Sequence, residues 1–370
     1  MLGTGVALLG GMTARAALAK LLRSPNLAWL FAVMVPAVAL SVSLNSQPQP
    51  EPLWTVDDLP ATPAMADNGW VLLDTAAFEV ELPAELRALV VGDIPADPAF
   101  WSQVEAQAPA LDELMNRLDV REALARLDIA RGRPAFVDDC EADERCGTAG
   151  WMNLHRLAML AVLQRELQGD HRGAMALVRG LVVFDRTYLE QPPSSLAVLV
   201  GIHNLRGALT LSERLLERAE GELVQQEARA LRAAVAAVDV DTRVLQPMLM
   251  REYLLLDGSL DDPSDPRYGV AAKQAGTSSW FVDRAETRRM LAERYRRRSA
   301  CAGVGDIACA LGIDEAALDA SPGWWLENPG GKRMLQSWQF WTPSAAEGLY
   351  DSLGRIASSR LRIIGSGEAG

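Results

Sequence analysis

Histidine and lysine are scarce in this chain, and their scarcity removes whole chemistries before any motif is sought. The three histidines are His155, His171 and His203, and none forms an HExxH or other close pair, so the usual helical zinc-hydrolase arrangement is absent. Lysine stands only at Lys20, Lys273 and Lys332, which leaves the last two for any lysine-dependent step in the body of the chain. Phosphate-binding loops also fail. Gly331-Lys332 has Leu326 where the first glycine of GxxxxGK belongs and Arg333 where Ser or Thr would hold magnesium, and the terminal GSGEAG has no following helix. No cofactor is expected.

Cysteine is sparse and arranged in two local pairs, Cys140 with Cys146 and Cys301 with Cys309. The spacings lack the CxxC knuckle and nearby histidine of zinc sites, so no metal is assigned, and two local disulfides are the economical reading. Disulfides in turn point to an oxidising compartment.

Residues 25–44, PNLAWLFAVMVPAVALSVSL, hold no charge and approach the roughly 20 residues a helix needs to cross about 30 Å of hydrocarbon. Pro36 is a kink that membrane helices tolerate. Arg15, Lys20 and Arg23 precede this segment and the next basic residue is Arg87, so the positive-inside rule puts residues 1–24 in the cytoplasm and the rest beyond the inner membrane, in the periplasm. A cleaved signal peptide is the rival reading, with residues 27–40 as its apolar stretch and Ser41-Val42-Ser43 as the small residues beyond. Both readings export the same body. After residue 44 there are 33 basic and 48 acidic residues, a formal charge of −15 that disfavours nucleic acid and anionic lipid headgroups as partners.

Residues 45–67 carry five prolines and read as an extended spacer between membrane and body. Residues 68–362 should fold as an all-α domain of stacked helical hairpins, with 363–370 as a frayed tail. The spacing of Leu111, Leu114, Leu118, Leu124 and Leu127 predicts one helix over 110–128. Over 148–256 the apolar residues keep a helical period and none alternate by two, giving a hairpin punctuated by Gly169-Asp170, a third helix after Pro192-Pro193, a fourth over 223–238 and a fifth over 243–256. A loop over 257–279, a basic helix over 280–299 and a last helix over 344–360 follow.

The hairpin at 153–185, with its QGDHRGAMALVRGLV turn and second helix, resembles one tetratricopeptide-type unit but does not recur, and so implies only stacking of a helical pair. More broadly, the hairpin, the QPPSSLAVLVGI and DRAETRRMLAERYR helices and the NPGGK segment make residues 151–362 similar to uncharacterised, N-terminally membrane-anchored helical envelope proteins of Gram-negative bacteria. That resemblance implies an architecture and no activity.

Four constellations stand out. His155 and His203 lie mid-helix beside polar residues, so packing of the first and third helices would gather Asn153, His155, His203, Asn204 and Arg206, with Asp185 and Glu190 as nearby carboxylates for general-base work and Ser194 or Ser195 as hydroxyls. Their alternative role is as histidines satisfied within a helical core. Asp257, Ser259, Asp261 and Asp265 alternate as in calcium loops, although Asp262 and Tyr268 occupy the turn-glycine and bidentate-glutamate positions. Arg284, Arg288, Arg289, Arg294, Arg296, Arg297 and Arg298 put positive charge on one helix, for a partner or for internal pairing. Trp324, Trp325, Trp338 and Trp341 could stack on sugars if exposed, or pack on the body. With no catalytic set standing out, the expectation is a non-enzymatic interaction or scaffold protein that binds another envelope protein. The alternatives are an envelope hydrolase using His155 or His203, and a glycan-binding module using the tryptophans.

Overall fold

A computed structural model describes residues 35, 48–59, 61, 63–73, 80–90, 99–137, 148–191, 195–262, 282–313, 335 and 341–365. The apolar segment over 25–44 falls outside these apart from Val35, and among the described residues no helix is long and apolar enough to cross a membrane. Cys140 and Cys146 also lie outside them.

The described residues form thirteen α-helices and no strand; one isolated bridge pairs Asn68 with Ala135. Five lead in: α1 (Trp70–Leu73), α2 (Ala84–Ala88), α3 (Ala99–Ala106), α4 (Ala108–Asn116) and α5 (Leu118–Arg131). The centre is α6 (Thr148–Leu167), α7 (His171–Glu190), α8 (Ser195–Leu216) and α9 (Glu222–Ala236). Then follow α10 (Leu245–Asp261), α11 (Arg284–Val304), α12 (Ile307–Ala310) and α13 (Pro343–Gly365).

Local chemistry sets the junctions. Gly169, at φ 76°, takes the left-handed conformation that ends α6, and the Asp170 carboxylate then accepts the Gly173 N–H at 2.9 Å to open α7, as the Gly-Asp pair predicted. Asp283 caps α11 in the same way through the Glu286 N–H, Gly305 at φ 87° ends it, and Asp306 caps α12 through the Cys309 N–H. Cys301 at the end of α11 is bonded to Cys309 in α12, with Cα atoms 5.7 Å apart, which confirms the second local disulfide.

Helix α7 packs on α6, α8 and α9, while α8 and α9 both pack on α13 and α10 packs on α11. This stacking of neighbouring helices is the architecture expected. Gly201 lets α8 approach α7 closely, since a methyl group there would lie 2.8 Å from Leu189 Cδ2 and 3.0 Å from the Tyr188 ring.

Four boundaries differ from expectation. The helix over 110–128 is two helices, because Arg117 is extended (φ −64°, ψ 140°) and its guanidinium pairs with Asp119 at 2.5 Å across the corner. Helix α10 runs on to Asp261, with the Ser259 hydroxyl donating to the Leu256 carbonyl at 2.7 Å, so Asp257 to Asp261 are helical and do not form a calcium-type loop. Helix α13 extends to Gly365 with Ile363 buried, so residues 363–365 belong to the body and not to a tail. Finally, the spacer does not run free of the body: Leu53 and Trp54 pack on the core, the Leu53 N–H donates to the Tyr253 hydroxyl at 2.8 Å, and the Trp54 ring meets that of Tyr253 edge-on at 5.6 Å.

Closing the short loop between Cys301 and Cys309 stabilises the fold by about 2–3 kcal/mol in the chain-entropy account. The Cys301→Ser/Cys309→Ser variant is therefore expected to unfold at lower urea, and reductant should shift wild type further than it shifts the double variant, which keeps only Cys140 and Cys146.

Candidate functional site

Helices α6 and α8 do pack together, and they bring the two histidines to one place. His155, Arg156 and Met159 of α6 and His203, Asn204, Arg206 and Gly207 of α8 surround a space of about 10 Å³, on the order of one water molecule. Asn153 is set back from it and accepts from Arg156 at 3.3 Å. The carboxylate arrives from α7: His155 Nε2 lies 2.8 Å from Asp185 Oδ2, and the two residues are 1% and 0% exposed.

The surroundings decide what this pair can do. Trp151 meets His155 edge-on at 5.8 Å and Phe184 at 5.1 Å, Phe136 meets Phe184 at 4.5 Å, and Trp70 stacks on Tyr188 at 6.5 Å. Such contacts add about 0.5–1.5 kcal/mol each beyond area burial, and here they wall the pair off. Burial pushes the Asp185 carboxyl up, against the opposing pull of His155 and of Arg131. Its second oxygen, Oδ1, has no hydrogen-bond partner. Burial, then Arg156, Arg206 and His155, push the His203 imidazole down, towards the neutral form. A general base needs a substrate proton within reach, and among the described residues the space beside His155 is about 10 Å³. The side chain of Ser195, like Ser194 altogether, lies outside the description.

The tryptophan face is corrected at its one described member. Trp341 is 5% exposed, and its indole N–H donates to Glu252 Oε1 at 3.2 Å. Glu252 is buried on α10 and also accepts from the Tyr295 hydroxyl at 3.2 Å; burial first, then that carboxylate, lift the Tyr295 phenol well above its ordinary range. Trp341 is therefore a core residue and offers no sugar platform. Trp324, Trp325 and Trp338 lie outside the described residues.

The basic stripe is likewise turned inward in part. Arg288 is buried, with its guanidinium 2.9 Å from Asp257 Oδ1, 2.5 Å from Asp261 Oδ2 and 2.8 Å from Gln49 Oε1. Arg298 is buried over the Tyr295 ring, and Arg289 is exposed and paired with Glu286 at 2.6 Å. Arg288 is thus unavailable to a partner, because it holds the N-terminal strand of chain against α10 and α11. Cys301, Asp306 and Cys309 come within 4.8 Å of one another, yet the two sulfurs are bonded together and offer no thiolate.

Sequence reading missed two sites. Glu166, on the buried side of α6, lies 2.8 Å from His171 Nδ1 and 3.3 Å from Arg218 Nε, and Arg218 also covers the Trp101 ring at 4.5 Å. Its signal was an acid four residues after Val162 in an apolar stripe. The second is a cleft of about 640 Å³ between the ends of α8, α9 and α13. Glu213, Arg214, Leu216 and Glu217 come from α8 and just beyond, Arg232 from α9, and Arg362 and Ile363 from α13. Arg362 reaches Glu213 at 2.9 Å and Arg214 reaches Glu217 at 2.5 Å. No local motif marks this cleft, because three separated segments build it.

The class defined by these features is an all-helical body with a sealed histidine–aspartate pair and an open, charge-lined cleft. No family model, curated protein or solved structure matches the chain.

Asp185 generates a test with a definite sign. A carboxyl raised in the folded state binds more protons there than in the unfolded chain, so its contribution to stability is largest in acid and falls as pH climbs from the ordinary carboxylate pKa of about 4 to its raised folded value. Asp185→Asn keeps an acceptor for His155 and should flatten that part of the pH profile in urea titrations, whereas Asp185→Ala should cost about 3–5 kcal/mol.

Proposed function

We propose that this chain is a non-enzymatic interaction protein of a bacterial cell envelope. Its helical body stands on the periplasmic side of the inner membrane, held there by the apolar segment over 25–44, and binds another envelope protein. The observation that carries this reading is a contrast: the pair with catalytic-type geometry is buried, with room for about one water on the outer side of His155, while the spacious cleft is lined by groups suited to holding a ligand. The Cys301–Cys309 disulfide supports an oxidising compartment, and the acidic surplus speaks against nucleic acid as the partner. A hydrolase would need substrate against His155, which is 1% exposed, and that burial argues against it; His203 is half-buried with no carboxylate among the groups lining its side of the space.

In-membrane crosslinking of the full chain, followed by purification, is expected to capture a defined second protein. A phosphatase reporter fused after residue 370 should be active, and a reporter that works only in the cytosol should not. Cytosolic reporter activity would overturn the placement. A chain that captures no partner and hydrolyses ester or peptide substrates, with activity lost in His155→Ala or His203→Ala, would replace the interaction reading by the hydrolase.

A further inference from the structure

The cleft between α8, α9 and α13 has an imbalance that names its ligand. Its wall carries three arginines, Arg214, Arg232 and Arg362, against two glutamates, Glu213 and Glu217. Arg362 is engaged by Glu213 through Nε at 3.2 Å and a terminal nitrogen at 2.9 Å. Arg214 is engaged by Glu217 at 2.5 Å, with Glu213 at 3.9 Å. That exhausts the acids. Arg232 has no acidic partner among the described residues, and its Nε is shielded from water without an acceptor. Arg214, 8% exposed, also has an Nε with no acceptor. Both Nε atoms face protein and not the cleft, so what the recess offers a ligand is the rest of the half-buried Arg232 guanidinium, a cation without an acid beside it.

We infer that this cleft binds an apolar monocarboxylate, with the carboxylate on Arg232 and the apolar part against Leu216. A guanidinium offers a planar fork that pairs a carboxylate bidentately. The two glutamates set the charge limit. One negative charge neutralises the surplus of one, while a phosphodiester chain or a sulfated glycan would bring several charges against Glu213, Glu217 and a body of formal charge −15. A volume of about 640 Å³ lies within the usual range for small-ligand sites and holds more than an inorganic anion. Half-buried Leu216, with Ile363 at the floor, adds the apolar surface a bare anion would not use. The same chemistry occurs at the end of a polypeptide with an apolar last residue and in a free short-chain acid. The first source deepens the interaction reading and rests on it; the second stands apart from it.

The test uses the full chain in detergent with its Cys301–Cys309 disulfide intact and four probes: N-acetyl-leucyl-leucine, the C-terminal amide of that dipeptide, octanoate and inorganic phosphate, each titrated by calorimetry and by thermal shift. The expected result is saturable binding of the dipeptide acid, at least tenfold weaker binding of the amide, and at least a tenfold loss for the acid in Arg232→Gln with the helical circular dichroism spectrum unchanged. Tighter binding of the dipeptide acid than of octanoate assigns the cleft to chain ends, and the reverse order assigns it to free acids; both outcomes sustain the inference. Equal binding of acid and amide to wild type overturns it without recourse to any variant, as does undiminished binding by folded Arg232→Gln or a preference for inorganic phosphate. If no carboxylate binds while crosslinking still captures a partner, the cleft fails alone and the interaction reading stands.

Discussion

Helix α7 can be enclosed by α6, α8 and α9 only because the carboxylate it carries inward finds a partner. Asp185 is fully buried, and an isolated ionised carboxylate at such a place would cost far more than its helix gains by packing. His155, one helix away, supplies the hydrogen bond at 2.8 Å that makes the burial tolerable. Trp151 meets His155 edge-on, and Phe136, Phe184, Tyr188 and Trp70 extend the aromatic cluster outward from it. The arrangement fixes how α6 and α7 face each other, because any rotation of either helix would separate the two side chains and leave both unsatisfied.

The same device recurs on the other side of the molecule. Glu252 is buried on α10 and bound by the Tyr295 hydroxyl of α11 and the Trp341 indole just before α13, so one carboxylate ties three parts of the chain that are distant in sequence. Glu166, held by His171 and Arg218, does this for the turn between α6 and α7 and the end of α8. Apolar stacking alone would leave helices free to slide by a turn. Three buried acids, each needing its own donors, favour one register over the slipped ones.

The helices themselves were legible because their signals are local. An apolar stripe recurs every three to four residues, and Gly169-Asp170 or Asp283 announces an end or a beginning by the chemistry of one or two side chains. Boundaries slipped where tertiary contacts override such signals. Asp257 and Asp261 look like loop residues in isolation, but they sit one turn apart on α10, where both reach Arg288. The meeting of His155 with His203 was legible because both stand at polar positions of otherwise apolar helices. The cleft was not, since it exists only where Arg232, Arg214 and Arg362 meet, and arginine on a solvated helix face is ordinary in any sequence.

Arg288 also changes what the proline-rich segment does. Read from composition, residues 45–67 hold the body at arm's length from a bilayer. The structure instead ties Gln49 to Arg288, seats Leu53 and Trp54 on Tyr253, and so returns this segment to α10 and α11 within a few residues of where the apolar stretch ends. Residues 49–54 are thereby fixed on the α10–α11 side of the stack, whereas the ends of α8, α9 and α13 form their cleft on separate elements that this tether does not touch. Arg288 can do this only because Asp257 and Asp261, one turn apart on α10, offset its charge and leave a further guanidinium nitrogen free to donate to Gln49. The N-terminal segment is therefore part of the packing of α10 on α11, and its position follows from the same buried-charge pairing that sets the register of the other helices.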